Sequence, residues 1–151
     1  MSVEISESES CLELCTQSGL SKPPAEITRD PVWERVQDAL IEVFACGGFV
    51  ELRVISPRNG FVSELCMKSK KGEYRLIVLT RSADPKSRLF EWWERGDDGY
   101  RGMVRFGDDD WDARTVCDDI SVACLIFKEL FESGDLVSGL SQMRSEWDPK
   151  E

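Results

Sequence analysis

Hydrophobic residues recur along this chain with two different periods. Between residues 32 and 44 the spacing is helical. Val32, Val36, Leu40, Val43 and Phe44, joined by Trp33 and Ala39, line one face. Asp30 is a good N-cap, Pro31 suits the first helical position, and Cys46-Gly47-Gly48 supplies a stop. From Phe49 onward the runs become β-rich and are punctuated by turn chemistry. Residues 49–55, 61–67 and 73–80 are strands, separated by Ser56-Pro57-Arg58-Asn59-Gly60 and by Lys70-Lys71-Gly72. Three strands joined by short turns predict an antiparallel meander. Residues 88–93 form a fourth strand and, after a turn at Asp97-Asp98-Gly99, residues 100–106 a fifth. Helical spacing returns at Ile120, Ala123, Cys124, Phe127, Leu130 and Phe131, with Asp118 or Asp119 as cap and Gly134 as stop.

The order helix, meander, helix predicts an α+β fold: an antiparallel meander sheet of about five strands with two main helices packed on one face. Residues 1–29 are rich in Ser, Glu and Pro and read as an N-terminal arm. Within it, Ser10-Cys11-Leu12-Glu13-Leu14-Cys15 alternates as a short strand does, and Lys22-Pro23-Pro24 is a stiff connector. Residues 30–151 then make a single domain, whose polar tail carries Leu140, Met143 and Trp147 as docking residues.

Charge narrows the partners. The 29 acids and 19 bases give a net charge of −10, which repels nucleic-acid phosphate and anionic lipid and attracts a basic partner. No apolar run approaches a membrane span. Residues 1–7 lack basic residues and an apolar core, so the expected compartment is the cytoplasm. In that reducing setting the six cysteines are free thiols, and Cys46, Cys66, Cys117 and Cys124 sit among apolar neighbours as small core residues. The chain has no histidine. That excludes Ser/His/Asp and Cys/His catalysis and every His-ligated metal.

The most conspicuous chemistry is Phe106-Gly107-Asp108-Asp109-Asp110-Trp111-Asp112. Asp108-x-Asp110-x-Asp112 copies the first half of a calcium loop. The copy fails at the sixth position, which is Ala113 instead of glycine, and at the twelfth, which is Asp119 instead of glutamate. No metal or cofactor is expected. Paired carboxylates can do acid–base work, but no nucleophile or phosphate loop accompanies them. Trp92-Trp93 is more informative. Adjacent side chains of a strand point to opposite faces, so one indole can enter the core while the other stays outside. A tryptophan beside Glu91, Asp97 and Asp98 is a suitable anchor for a basic protein. Trp111 is either an anchor of the same kind or a plug holding its loop down.

From Gly47 to Asp135 the chain resembles small bacterial immunity-type proteins of polymorphic toxin systems. The resemblance rests on Gly47-Gly48-Phe49-Val50-Glu51-Leu52, the middle of the meander and the block from Phe106 to Cys117. It rests also on Ile126-Phe127-Lys128-Glu129-Leu130-Phe131-Glu132-Ser133-Gly134-Asp135, similar to the F-K-E-F-F-x-x-G-D ending of those families. The resemblance implies a bacterial protein, without enzymatic activity, that neutralises a cognate toxin by protein–protein contact in interbacterial competition. Many such toxins are basic nucleases, and an acidic inhibitor suits them. The implied binding face gathers Glu91, Trp92, Trp93, Asp97, Asp98, Asp108, Asp109, Asp110, Trp111 and Asp112. The same motif is also compatible with a purely structural turn before the second helix. Two other readings stay open: a carboxylate-using enzyme or small-ligand-binding domain, and an acidic adaptor subunit.

Overall fold

The computed structural model describes residues 11–19, 25–56, 60–94, 99–106 and 109–145. Its main sheet has seven strands: β1 (Cys11–Ser18), β2 (Glu26–Arg29), β3 (Gly48–Ser56), β4 (Val62–Lys70), β5 (Glu73–Thr80), β6 (Leu89–Trp92) and β9 (Met143–Ser145). They lie in the order β2-β1-β3-β4-β5-β6-β9, antiparallel at every step. Two helices, α1 (Trp33–Cys46) and α2 (Ile120–Ser133), complete an α+β fold. A separate two-stranded ribbon pairs β7 (Met103–Phe106) with β8 (Asp109–Asp112).

The sheet is therefore larger than the five-strand meander expected from the sequence. Residues 49–92 form the meander as predicted, but the fifth predicted strand leaves the sheet and joins the ribbon. Its place beside β6 is taken by β9 from the polar tail. The strand read in residues 10–15 runs to Ser18 and lies inside the sheet, between β2 and β3.

Strand alternation builds the core. Cross-strand register places Leu14, Leu52, Leu65 and Val78 in one row, and Val50, Met67 and Leu76 in the next. All seven side chains are fully buried. Val36, Ala39, Leu40 and Val43 from α1 and Ala123, Ile126, Phe127 and Leu130 from α2 belong to the same cluster. α1 packs against β1, β3 and β4, and α2 against β4 and α1. The rings of Trp33 and Phe131 meet 5.6 Å apart between the helices. Each fully buried aliphatic side chain here is worth about 1.5–3 kcal/mol relative to exposure.

The helix ends differ in how they are held. Asp119 caps α2 as expected, accepting from the Ser121 N–H at 3.0 Å and the Ser121 hydroxyl at 2.7 Å. These bonds hold its carboxyl below the ordinary aspartate range. Gly134 closes the helix in the left-handed region, where glycine carries no Cβ penalty. Asp30 does not cap α1. The helix starts after Val32 without a side-chain cap, while Asp30 turns back to β1. Its carboxylate accepts from the Leu12 N–H at 3.2 Å and its own N–H donates to the Leu12 carbonyl. Competition for a β1 backbone group overrides the local capping preference.

The ribbon clasp and the outer face of the sheet

The acidic stretch folds into the ribbon instead of a loop. Asp110 pairs with Arg105 across it at 3.1 Å, both side chains being exposed. Asp112 ends β8 and caps a short 3₁₀ turn, Ala113–Thr115, by accepting from the Arg114 N–H at 2.9 Å. The same carboxylate takes two bonds from the Arg114 guanidinium, at 3.1 and 2.8 Å. Arg114 is buried, and a guanidinium can be buried only when paired in this way. Its pKa is accordingly raised, chiefly by the hydrogen bond to Asp112.

The turn presses this assembly onto the outer face of the sheet. Arg75 on β5 and Glu91 on β6 form an ion pair at 2.7 Å, with both side chains almost wholly buried. The Trp111 ring lies 3.6 Å from the Arg75 guanidinium carbon, and Thr115 accepts a long bond from Arg75 Nε at 3.4 Å. Burial lowers the Arg75 pKa, and Glu91 opposes that shift. Two guanidinium groups approach the Trp93 ring, Arg114 at 4.4 Å and Arg144 at 4.1 Å. The Glu94 N–H donates to the Arg114 carbonyl and completes the clasp.

The residues singled out from the sequence separate into four groups. Trp92 enters the core, whereas Glu91, Trp93, Trp111 and Asp112 are built into the clasp. Adjacent Trp92 and Trp93 thus serve opposite sides of the sheet, as the period of two requires. Asp109 and Asp110 face solvent. Asp97, Asp98 and Asp108 lie outside the described residues. Sequence reasoning missed the cations Arg75 and Arg144, which come from distant segments; Arg114, two residues from Asp112, was legible as part of a structural turn before α2.

Away from the clasp, the outer face over β1, β3 and β4 is open. Arg53 there is shared by Glu13 at 3.2 Å, Glu51 at 2.9 Å and Glu64 at 3.2 Å. In the sequence, this face is marked only by the alternation of Glu51 and Arg53 along β3, which the reading of residues 49–55 as a strand did not use. Burial first, and then Glu51, raise the Glu64 pKa against the opposing pull of Arg53. Cys66 points to the same side, and burial pushes its thiol up to about 12. All six cysteines are free.

A cleft of about 770 Å³ opens between the ribbon and the sheet. Phe49, Lys68 and Arg75 are cross-strand neighbours in its floor, and Phe106 and Trp111 wall it. Lys70 reaches across the cleft to donate to the Arg105 carbonyl at 2.8 Å. Lys71 stands at the hairpin tip with a φ of 24°.

A family model described as "Family of unknown function (DUF6911)" matches residues 15–140, and the chain belongs to that family. No curated protein matches the sequence. Among solved structures, the chain is similar to a hypothetical protein from Neisseria gonorrhoeae, with a TM-score of 0.62 at 12% identity. The match covers 87% of this chain and 93% of that one. At this identity the likeness establishes a shared fold. No helix among the described residues is long and apolar enough to cross a membrane.

Proposed function

We propose that this protein is a non-catalytic, cytoplasmic binding protein that neutralises a cognate toxin by protein–protein contact, as the sequence resemblance implies. The observation that supports this reading is the shared arginine on the open face of the sheet. Three carboxylates meet one guanidinium, all four side chains being partly exposed. The surplus charge is negative and its positions are held by ion pairs on neighbouring strands. A surface ordered before contact loses less conformational freedom on binding. Its charge favours encounter with a basic protein and disfavours wrong partners. Asp109 and Asp110 add exposed carboxylates on the ribbon.

Co-expression with the product of the adjacent gene tests the reading. If that product is a toxin, the wild-type chain should restore growth and co-purify with it. Glu13→Lys with Glu51→Lys should weaken the complex about tenfold or more, with a greater loss at low salt than at high salt. Asp109→Lys with Asp110→Lys measures the ribbon's share, with circular dichroism confirming that both variants fold. Failure of the wild-type chain to bind or protect would end the proposal.

A further inference from the structure

The cleft between ribbon and sheet shares Asp109 with the surface proposed for the toxin, and otherwise carries its own chemistry. We propose that it is a binding site for a small aromatic anion: a flat ring bearing a carboxylate or a phosphate. Its volume of about 770 Å³ falls within the range of small-molecule sites, roughly 300–1,000 Å³. Phe49, Phe106 and Trp111 supply aromatic surface for the ring. The sign of charge in the cleft is the reverse of the chain's. Lys68, Lys70, Lys71 and Arg75 line it with Asp109 as the acidic exception, in a protein of net charge −10.

These cations are not equivalent. Arg75 is committed to Glu91 and stacked by Trp111, so it fixes the wall and does not reach for a ligand. Lys70 is held by the Arg105 carbonyl. Lys68 and Lys71 are exposed, and among the described residues no hydrogen bond or ion pair engages their ammonium groups. They are the groups placed to receive an anion, and the ring then lies against Phe49 and Trp111. The wall is preorganised, because Trp111 is tied to the sheet before any ligand arrives.

Titration of the full chain followed by NMR, observing the Trp111 indole N–H, tests the site. Phenyl phosphate and benzoate are the two probes of anion type. Inorganic phosphate supplies charge without a ring, and benzyl alcohol a ring without charge. At least one aryl anion should shift the Trp111 signal saturably and bind about tenfold or more tighter than either control. The tighter of the two identifies the preferred anion. Lys68→Glu with Lys71→Glu should weaken that binding about tenfold or more, because both side chains lie at the surface and their change leaves the core intact. The proposal is overturned if neither aryl anion shifts Trp111, if either control binds as tightly, or if the double variant binds like the wild type. The site does not depend on the toxin reading: a chain that fails to protect against a toxin can still bind the probe, and the reverse.

Discussion

The Trp111 ring stands 3.6 Å from the guanidinium carbon of Arg75, and this contact joins the aspartate-rich strand of the ribbon to β5, an interior strand of the sheet. A cation against an aromatic face in a largely desolvated place is worth about 2 kcal/mol. Among the described residues the ribbon makes no ladder with the sheet, and this contact, the Arg114 cluster and the Lys70 bond to the Arg105 carbonyl attach it. Trp111→Ala is therefore expected to loosen the ribbon without melting the domain. Amide exchange should quicken at Met103–Phe106 and Asp109–Asp112, while β3, β4 and β5 keep their protection. An equal loss of protection throughout would contradict a locally attached ribbon.

The Arg75–Glu91 pair should be costly to break and cheap to replace. Arg75→Met leaves the buried Glu91 carboxylate without the guanidinium at 2.7 Å, and loss of one partner of a buried pair costs about 3–5 kcal/mol. Adding Glu91→Leu removes the stranded charge and should recover most of that loss. Urea unfolding of the two variants makes the comparison. A double variant no more stable than Arg75→Met would mean that Glu91 is satisfied without Arg75.

Tyr74 provides a smaller, cleaner test. Its fully buried hydroxyl donates to the Asp119 carbonyl at 2.7 Å and accepts from the Ala123 N–H at 3.0 Å. It thereby supplies a partner at the start of α2. Tyr74→Phe keeps the ring and takes the hydroxyl's bonds from the Ala123 N–H and the Asp119 carbonyl, which keeps its bond from the Val122 N–H, at a cost of about 1–3 kcal/mol by urea denaturation. Burial raises the phenol pKa above its ordinary value, so this contribution should not vary between neutral and moderately alkaline pH.

Glu64 should make stability depend on pH in an unusual direction. Its folded-state pKa is raised, so at neutral pH the ionised carboxyl counts against the fold. As pH falls through the raised value, the folded state takes up the proton before the unfolded state does, and that cost is relieved. Glu64→Gln is expected to be at least as stable as the wild type at neutral pH, with its advantage shrinking as pH falls toward the ordinary glutamate value. A variant markedly less stable at neutral pH would show that the bond to Arg53 outweighs the desolvation.

Much of the scaffold was legible because it is written locally. Asp119 and Gly134 bound α2, and the alternation from Glu73 to Thr80 matches β5 end to end. The missed elements lack a local signal. Asp109-Asp110-Trp111-Asp112 has poor strand propensity and becomes β8 through the β7 ladder and the Arg105–Asp110 pair. The three-residue β9 is specified by β6, from which it is separated by some fifty residues of chain, and no window that short predicts it. The candidate site was half legible. Its aspartates and tryptophans stood out with the nearby Arg114, but Arg75 and Arg144 reach them only through folding. Two residues of the resemblance have plain structural work as well: Glu129 accepts from the Val137, Ser138 and Gly139 N–H groups, and Asp135 accepts from Phe61 and Val62.

The strand order has a consequence for solubility. The long strands, eight or nine residues each, are all interior, while the two sheet edges are β2, of four residues, and β9, of three. Unpaired backbone along an edge is a template on which further chains can add, and a short edge offers few such groups. Loss of β9 would bare β6, itself only four residues long, so the border would stay short, and the new exposure would be mainly the apolar surface of Trp92.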